Sequence, residues 1–320
     1  MANSNLVTPE RRRISTFRTG AQTWFRARGL ILVLFWVVGQ VARDSTWLSG
    51  LCFYIPSALV AALLIGESLA CLLRRRWQAA ACAACLAAPP LGIYLLVENH
   101  WFSMQAPAAP SHLRIVHWNV AGHLQRPGAQ DVLLANSADL YVLSEIPDVA
   151  AVEALCQALG TEFQAEVFSN MAVVCRQKIR ADGWLINCNR TRVQKITWLV
   201  AERAIVLLVV DLPSDLLVHR DPLLREVNDL IEQYRPDLVI GDFNAPRRSW
   251  ALCRLPAGYR HAYDSAGVGC GDTWPVPAPM YSLDHCIHSA AVAPVRYVLS
   301  TSTHSDHRLQ VFDFALKVEE

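Results

Sequence analysis

An aspartate and an asparagine two positions apart, at the end of an apolar run, are the first chemistry the sequence offers. In DLVIGDFNAPRRSW, Asp242 and Asn244 fall on one side of an extended chain. Similar endings recur: Asn119 in LRIVHWNV, Glu145 in LYVLSEI, Asp211 in AIVLLVVD, Asp284 within SLDHCIHS, and Asp306 with His307 just before LQVFDFAL. Carboxylate and amide oxygens gathered from several strand ends suit a hard cation, Mg2+ with Mn2+ as the alternative, which prefers oxygen to nitrogen or sulfur. Zinc has little support, because no CxxC pair occurs among the six cysteines that follow residue 100. Such a residue set can neutralise a phosphoryl group, aim a nucleophile and place a donor where negative charge grows. Each element alone has a plainer reading, since Asp-x-Asn after a strand is commonly an Asx turn.

These residues need strands to carry them. Candidate strands are 113–120, 140–146, 170–176, 183–187, 195–201, 204–211, 237–242, 282–289, 295–300 and 309–316, with helices at 129–136, 149–159 and 221–234. Pro222 stands in the first turn of the last helix, where its missing N–H costs nothing. Mixed strands and helices over residues 113–320 predict two sheets covered by helices, an α/β (α+β) domain. MQAPAAPSH, within a linker at 101–112, reads as a short stiff spacer.

Residues 1–100 have a different composition, with ten Lys or Arg against four acids, whereas the rest has 19 against 24. Apolar runs at Trp24–Ala42, Trp47–Leu73 and Trp77–Val97 approach the roughly 20 residues that span a bilayer. The first could instead be a signal-peptide core, but cleavage after Ala42 would put Gln40 where a small residue is wanted. Three spans would put the six arginines before residue 29 and the Arg74, Arg75, Arg76 cluster on the same, cytoplasmic side. The domain after Val97 would then lie outside, where its six cysteines could form disulfides.

Taken in order, VHWNV, YVLSEI, VIGDFN, SLDHCI and SDHR resemble the endonuclease/exonuclease/phosphatase superfamily over residues 113–316. TWPVPAPMYSLDH, with Thr273 and Trp274, looks like its bacterial membrane-anchored branch, some members of which are linked to undecaprenyl pyrophosphate. The resemblance implies a four-layer αββα sandwich, here preceded by three transmembrane helices, and metal-assisted phosphoester hydrolysis. It implies a multi-pass protein of a bacterial inner (cytoplasmic) membrane, with the catalytic domain facing the periplasm or exterior. Carried over, Glu145 binds the metal with Asn119 beside it, and Asp306 supports the metal or His307. Asp242 orients or deprotonates water, Asn244 holds a phosphate oxygen, His307 meets developing charge, and Asp284 fixes the tautomer of His307 and raises its pKa.

One position departs from the family, because Asp211 in VVDLPSD stands where a histidine is usual. Three readings are open: Asp211 binds a second metal, it is a protonated acid, or the domain only binds phosphorylated headgroups. His219 could fold back to replace the imidazole. A pyrophosphate expels phosphate, a better leaving group than an alkoxide, so Asp211 shifts the expectation toward a phosphorylated lipid or lipid-linked pyrophosphate. The acidic balance of the domain disfavours nucleic acid as a partner, leaving a phosphodiesterase or nuclease as the alternative. Arg247 and Arg248 are a basic pair suited to substrate phosphate, or equally a solvated helix start.

Overall fold

Period-two alternation along the strands separates the layers. In β1 (Leu113–Asn119), Ile115 turns one way and Val116 and Trp118 the other; in β7 (Arg203–Asp211), Leu207 and Val209 part from Leu208 and Val210. The computed structural model describes residues 28–109 and 111–317. One six-stranded sheet runs, in spatial order, β11 (Val292–Ser300), β12 (Leu309–Leu316), β1, β2 (Leu140–Ser144), β4 (Met171–Cys175) and β3 (Gln164–Phe168). The other runs β5 (Ile179–Cys188), β6 (Thr191–Val200), β7, β8 (Leu238–Asp242), β10 (Asp284–His288) and β9 (Arg260–His261).

Between the sheets lies one core that includes Ile115, Val142, Trp198, Val209, Ile240 and Phe312. On the outer face of the first sheet, α5 (Ala129–Ala135) and α6 (Val149–Leu159) bury Leu133, Val152 and Leu155 against Trp118 and Tyr141. On the outer face of the second, α7 (Arg220–Tyr234) buries Leu224, Val227 and Ile231 against Val210 and Val239. Helices therefore cover both sheets of an α/β sandwich. The alternation signal missed β3 and the two-residue β9, which are short edge strands with few buried side chains to reveal them.

The amino-terminal part departs from the expected three spans. Its helices are α1 (Arg28–Ala42), α2 (Trp47–Phe53), α3 (Ser57–Leu73) and α4 (Trp77–Ile93), the last continuing as a π-helical turn through Glu98. The stretch 47–73 is two helices, because Pro56 cannot continue the first one and caps the second in an extended conformation. Helices α1 and α2 meet at 119°. Among the described residues, by length and apolarity only Trp77–Glu98, 22 residues long, could cross a membrane, or two segments if the bent pair is counted as one. Three transmembrane helices are therefore not supported. Residues 1–27, with Trp24 to Ala27 of the first expected span and five of the arginines used to orient it, lie outside the described residues.

These helices pack on one another through Trp36, Val60, Leu64 and Ala87, while Leu30, Leu34, Leu63, Leu69 and Leu73 point outward. The bundle docks on the sandwich beside the end of β8. Tyr54 donates its hydroxyl to the Asn244 carbonyl at 3.0 Å, and Asp44 accepts from the Trp250 amide. All ten cysteines are free in this structure.

Gly241 shows how tightly the second sheet is drawn together. Its φ is +152°, and a Cβ there would lie 1.9 Å from the Val210 carbonyl oxygen of the neighbouring strand. Gly241→Ala should therefore cost about 3 kcal/mol or more, lowering the melting temperature by roughly 6 °C or more. A variant melting within about a degree of wild type would contradict this close approach.

Candidate active site

The inward-facing positions that fill the core become polar at one end of the sandwich. On the second sheet Arg192, Asp211, Asp242 and Asp284 are register partners across β6, β7, β8 and β10. Register partners share a face, so the four side chains form one row. Opposite them, Asn119 and Ser144 are partners at the ends of β1 and β2, and Glu145 follows with φ +54°.

Asp242 is buried and accepts from the Asn244 amide at 2.9 Å through Oδ1 and from Asn119 Nδ2 at 2.9 Å through Oδ2. Burial first, and then the negative charge of Asp284, raise its carboxyl well above the ordinary value. Asn119 donates its other N–H to Glu145 Oε1 at 3.0 Å and accepts from the Ala121 amide through Oδ1. Because Ala121 can only donate, that contact fixes which end of the amide faces the carboxylates. Asn119 thus joins Glu145 to Asp242 through nitrogen, and its oxygen, expected beside the metal, is committed elsewhere.

His307 donates through Nδ1 to Asp284 Oδ2 at 2.8 Å. Burial opposes charge on the ring, yet the Asp284 charge and hydrogen bond prevail and raise His307 to about 10. At Asp284 burial likewise favours the neutral acid, and His307 outweighs it, so its carboxyl is held low. Loop contacts secure the pair. Thr273 Oγ1 accepts from the Asp284 amide at 3.2 Å, Ser305 Oγ accepts from the His307 amide at 3.0 Å and donates to the Asn119 carbonyl at 2.7 Å, and Trp118 Nε1 donates to the His307 carbonyl. Beneath lies a polar layer in which Gln310 Nε2 donates to His117 Nδ1 at 2.7 Å and His117 Nε2 donates to Ser144 Oγ at 3.1 Å. Burial lowers His117 to about 4, which keeps it neutral.

Asp211 is paired with an arginine, a contact that the three sequence readings did not include. Its Oδ2 accepts from Arg192 Nη1 at 3.0 Å and from Asn170 Nδ2 at 2.9 Å. Burial pushes its carboxyl up, and Asn170 and Arg192 oppose that push. Neither Arg192 nor Asn170 stood out in the sequence, because an arginine starting a strand and an asparagine in a tight turn are ordinary there; only the Arg192–Asp211 register singles them out.

Several expected site residues point elsewhere. Arg247 and Arg248, expected to hold substrate, engage the bundle junction: Arg247 Nη2 donates to the Glu98 carbonyl at 2.6 Å and its Nε pairs with Asp264, while Arg248 Nη1 donates to Gln40 Oε1 at 2.7 Å. His219, offered as a substitute imidazole, meets the Asp44 carbonyl at 2.7 Å. Asp306 is exposed and accepts from Trp274 Nε1 at 2.9 Å. Asn244, with φ +48°, uses one side-chain N–H on the Leu212 carbonyl, leaving the other for a ligand.

A divalent cation fits this donor set. Donor atoms of Asp242, Asp284 and His307 lie within 4.8 Å of one another, close enough to share a cation. Four carboxylates, Glu145, Asp211, Asp242 and Asp284, face two cationic side chains, Arg192 and His307. The excess is two negative charges on oxygen, which suits one hard divalent ion. The His307 hydrogen bond uses only Asp284 Oδ2 and leaves Oδ1 without a partner, whereas Asp242 accepts at both oxygens and Glu145 accepts from Asn119 at Oε1.

Two stacked six-stranded sheets, clad in helices and carrying an acid-and-histidine edge, define the class of α/β sandwich. A model of the endonuclease/exonuclease/phosphatase family matches residues 116–307, and the chain belongs to that family. Solved structures share the fold. Humanized D. rerio TDP2 carrying 14 mutations is 21% identical with a TM-score of 0.54, covering 64% of this chain and 99% of its own. An endonuclease/exonuclease/phosphatase family protein from Bacteroides thetaiotaomicron is 13% identical with a TM-score of 0.53, covering 66% and 100%. The human Nocturnin catalytic domain with bound sulfate is 17% identical with a TM-score of 0.50, covering 66% and 97%. No curated protein matches the chain by sequence.

The His307–Asp284 pair has a pH signature. His307, raised, contributes stability that is complete below about pH 6.5 and lost as the pH climbs through about 10; Asp284, held low, contributes above about pH 4 and loses that share as the pH falls. The stability difference between wild type and Asp284→Asn should therefore be largest from about pH 4 to 6.5 and shrink on either side. In Asp284→Asn the His307 ring should titrate back toward about 6.5 by NMR. A ring still near 10 in that variant would assign the shift to other groups.

Proposed function

We propose that the protein is a divalent-cation-dependent phosphohydrolase working at a membrane face on a phosphorylated lipid or lipid-linked pyrophosphate. The reading rests on one observation above all: a buried carboxylate of raised pKa, Asp242, beside an imidazolium held charged by Asp284.

Asp242, fixed by the Asn244 amide and Asn119 Nδ2, is aimed as a base for water, and its raised pKa makes it a better one. His307, with Nδ1 occupied by Asp284, presents Nε2–H as a cationic donor where negative charge develops on phosphate oxygens. The free N–H of Asn244 adds a neutral donor. Glu145, with Asp242 and Asp284 of the close donor group, would hold the cation, Mg2+ or Mn2+, which would supply charge neutralisation when bound.

Membrane attachment is supported by the outward-facing leucines of the helical bundle. Its orientation is supported by the arginines. Ser57 and Glu98 meet beside the sandwich, with Ser57 Oγ donating at 2.7 Å, and the Arg74–Arg76 turn follows α3, about 25 Å further along. Basic residues favour the cytoplasmic side, which supports a reading with the sandwich outside. The acidic balance of residues 101–320 speaks against the nuclease alternative.

Full-length protein in detergent with Mg2+ should release phosphate from undecaprenyl pyrophosphate or another phosphorylated lipid. Chelator should abolish this, and Asp242→Asn should lower it by about 100-fold or more. Cleavage of DNA alone would sink the lipid reading, and headgroup binding without turnover would favour a binding domain. Orientation has its own readout: alkaline phosphatase fused to the carboxyl terminus should be active in a bacterial host, and an inactive fusion beside an active cytoplasmic reporter would reverse the proposed sidedness.

A further inference from the structure

Arg192 has no part in the chemistry above, yet it ends the charged row. Strands lie about 4.8 Å apart, so its backbone stands two spacings from Asp242. Its Nη1 donates to Asp211 Oδ2 at 3.0 Å, which ties the guanidinium to the residue that stands about one spacing from Asp242 on the adjacent strand. Asn170, in the turn between β3 and β4 of the opposite sheet, donates to that same oxygen and closes the arrangement from across the sandwich.

The cluster is held but not saturated. Arg192 Nε and Asn170 Oδ1 are buried without a hydrogen-bond partner, and the arginine side chain keeps 23% exposure. A buried guanidinium donor left unpaired beside a reaction centre costs free energy unless a ligand or water meets it. Charge also gives the row a direction. At its other end Asp284 is taken up by His307, and only the Asp211 end offers a further cation. A second anionic group on the substrate would meet Asp211 and Glu145 unscreened unless a guanidinium lay between.

Resting on the phosphohydrolase reading, we infer that Arg192, positioned by Asp211 and Asn170, is a specificity-determining residue that binds a second phosphoryl group adjoining the one at Asp242 and His307. The substrate class is then a diphosphate, and the aspartate in β7 serves to aim an arginine rather than to bind metal or donate a proton.

The test is binding, which needs no turnover. Full-length protein in detergent with excess Mg2+ is titrated calorimetrically with methylenediphosphonate and with methylphosphonate. Wild type should prefer the diphosphonate by about tenfold or more, as expected for one charge-assisted contact. Arg192→Gln should remove the preference, and Arg192→Lys should restore part of it. If Arg192→Gln unfolds because Asp211 loses its partner, the double variant Asp211→Asn/Arg192→Gln, which leaves no lone buried charge, should show the same loss. An unchanged preference in these variants, equal weakening of both ligands, or no preference in wild type would overturn the inference. A wild type that prefers the diphosphonate but hydrolyses no phosphorylated substrate would sink the hydrolase reading and leave the Arg192 assignment standing.

Discussion

Asp242 and Asp284 lie side by side on adjacent antiparallel strands, almost wholly out of water. Two carboxylates so placed cannot both ionise unless positive charge and hydrogen bonds surround them. Much of the nearby architecture answers that constraint. His307 takes a proton and holds Asp284 charged, Asn119 and the Asn244 amide donate to Asp242, and Thr273 braces the backbone before Asp284. At this end of the stacked sheets each contributes part of the answer: Asn119 and Glu145 from the first, and the acidic row from the second.

The same constraint explains the unusual backbone nearby. Glu145 and Asn244 have positive φ, and Gly241 approaches Val210 too closely for any side chain. Such conformations cost about 1–3 kcal/mol each where the residue is not glycine, and they persist when the surroundings over-determine them. Here the surroundings do: the Asn244 amide and side chain are both hydrogen bonded, and the carbonyl of Asn244 is met by Tyr54 from the helical bundle. The bundle therefore packs directly on the loop that follows Asp242. Arg247 and Arg248, next in that loop, extend this junction through Glu98 and Gln40.

Much of the sandwich was legible in the sequence, and for a physical reason. Helix α6 was read at its observed bounds, and β1, β2, β4, β7 and β8 to within two residues, because each buries an alternating or periodic set of apolar side chains. The GDFN and SDH segments stood out for a related reason, since polar residues interrupt runs that would otherwise continue the core. Edge strands β3 and β9 carry little such signal. Hydropathy also misjudged 47–73, where a window average cannot register that Pro56 divides an apolar stretch into two helices.

By itself the sequence determined the fold class, the family resemblance and the strand ends that carry Asn119, Glu145, Asp211, Asp242 and Asp284, because these follow from local alternation and from motifs contiguous in the chain. Partnership was decided only in three dimensions. Nothing local distinguishes Arg192 from a surface arginine, or Arg247 and Arg248 from phosphate ligands. Register across four strands gives Asp211 its guanidinium, and docking of the bundle takes up Arg247 and Arg248. A side chain's charge is written in the sequence, but what neutralises it depends on which distant strand or helix the fold brings within hydrogen-bonding distance.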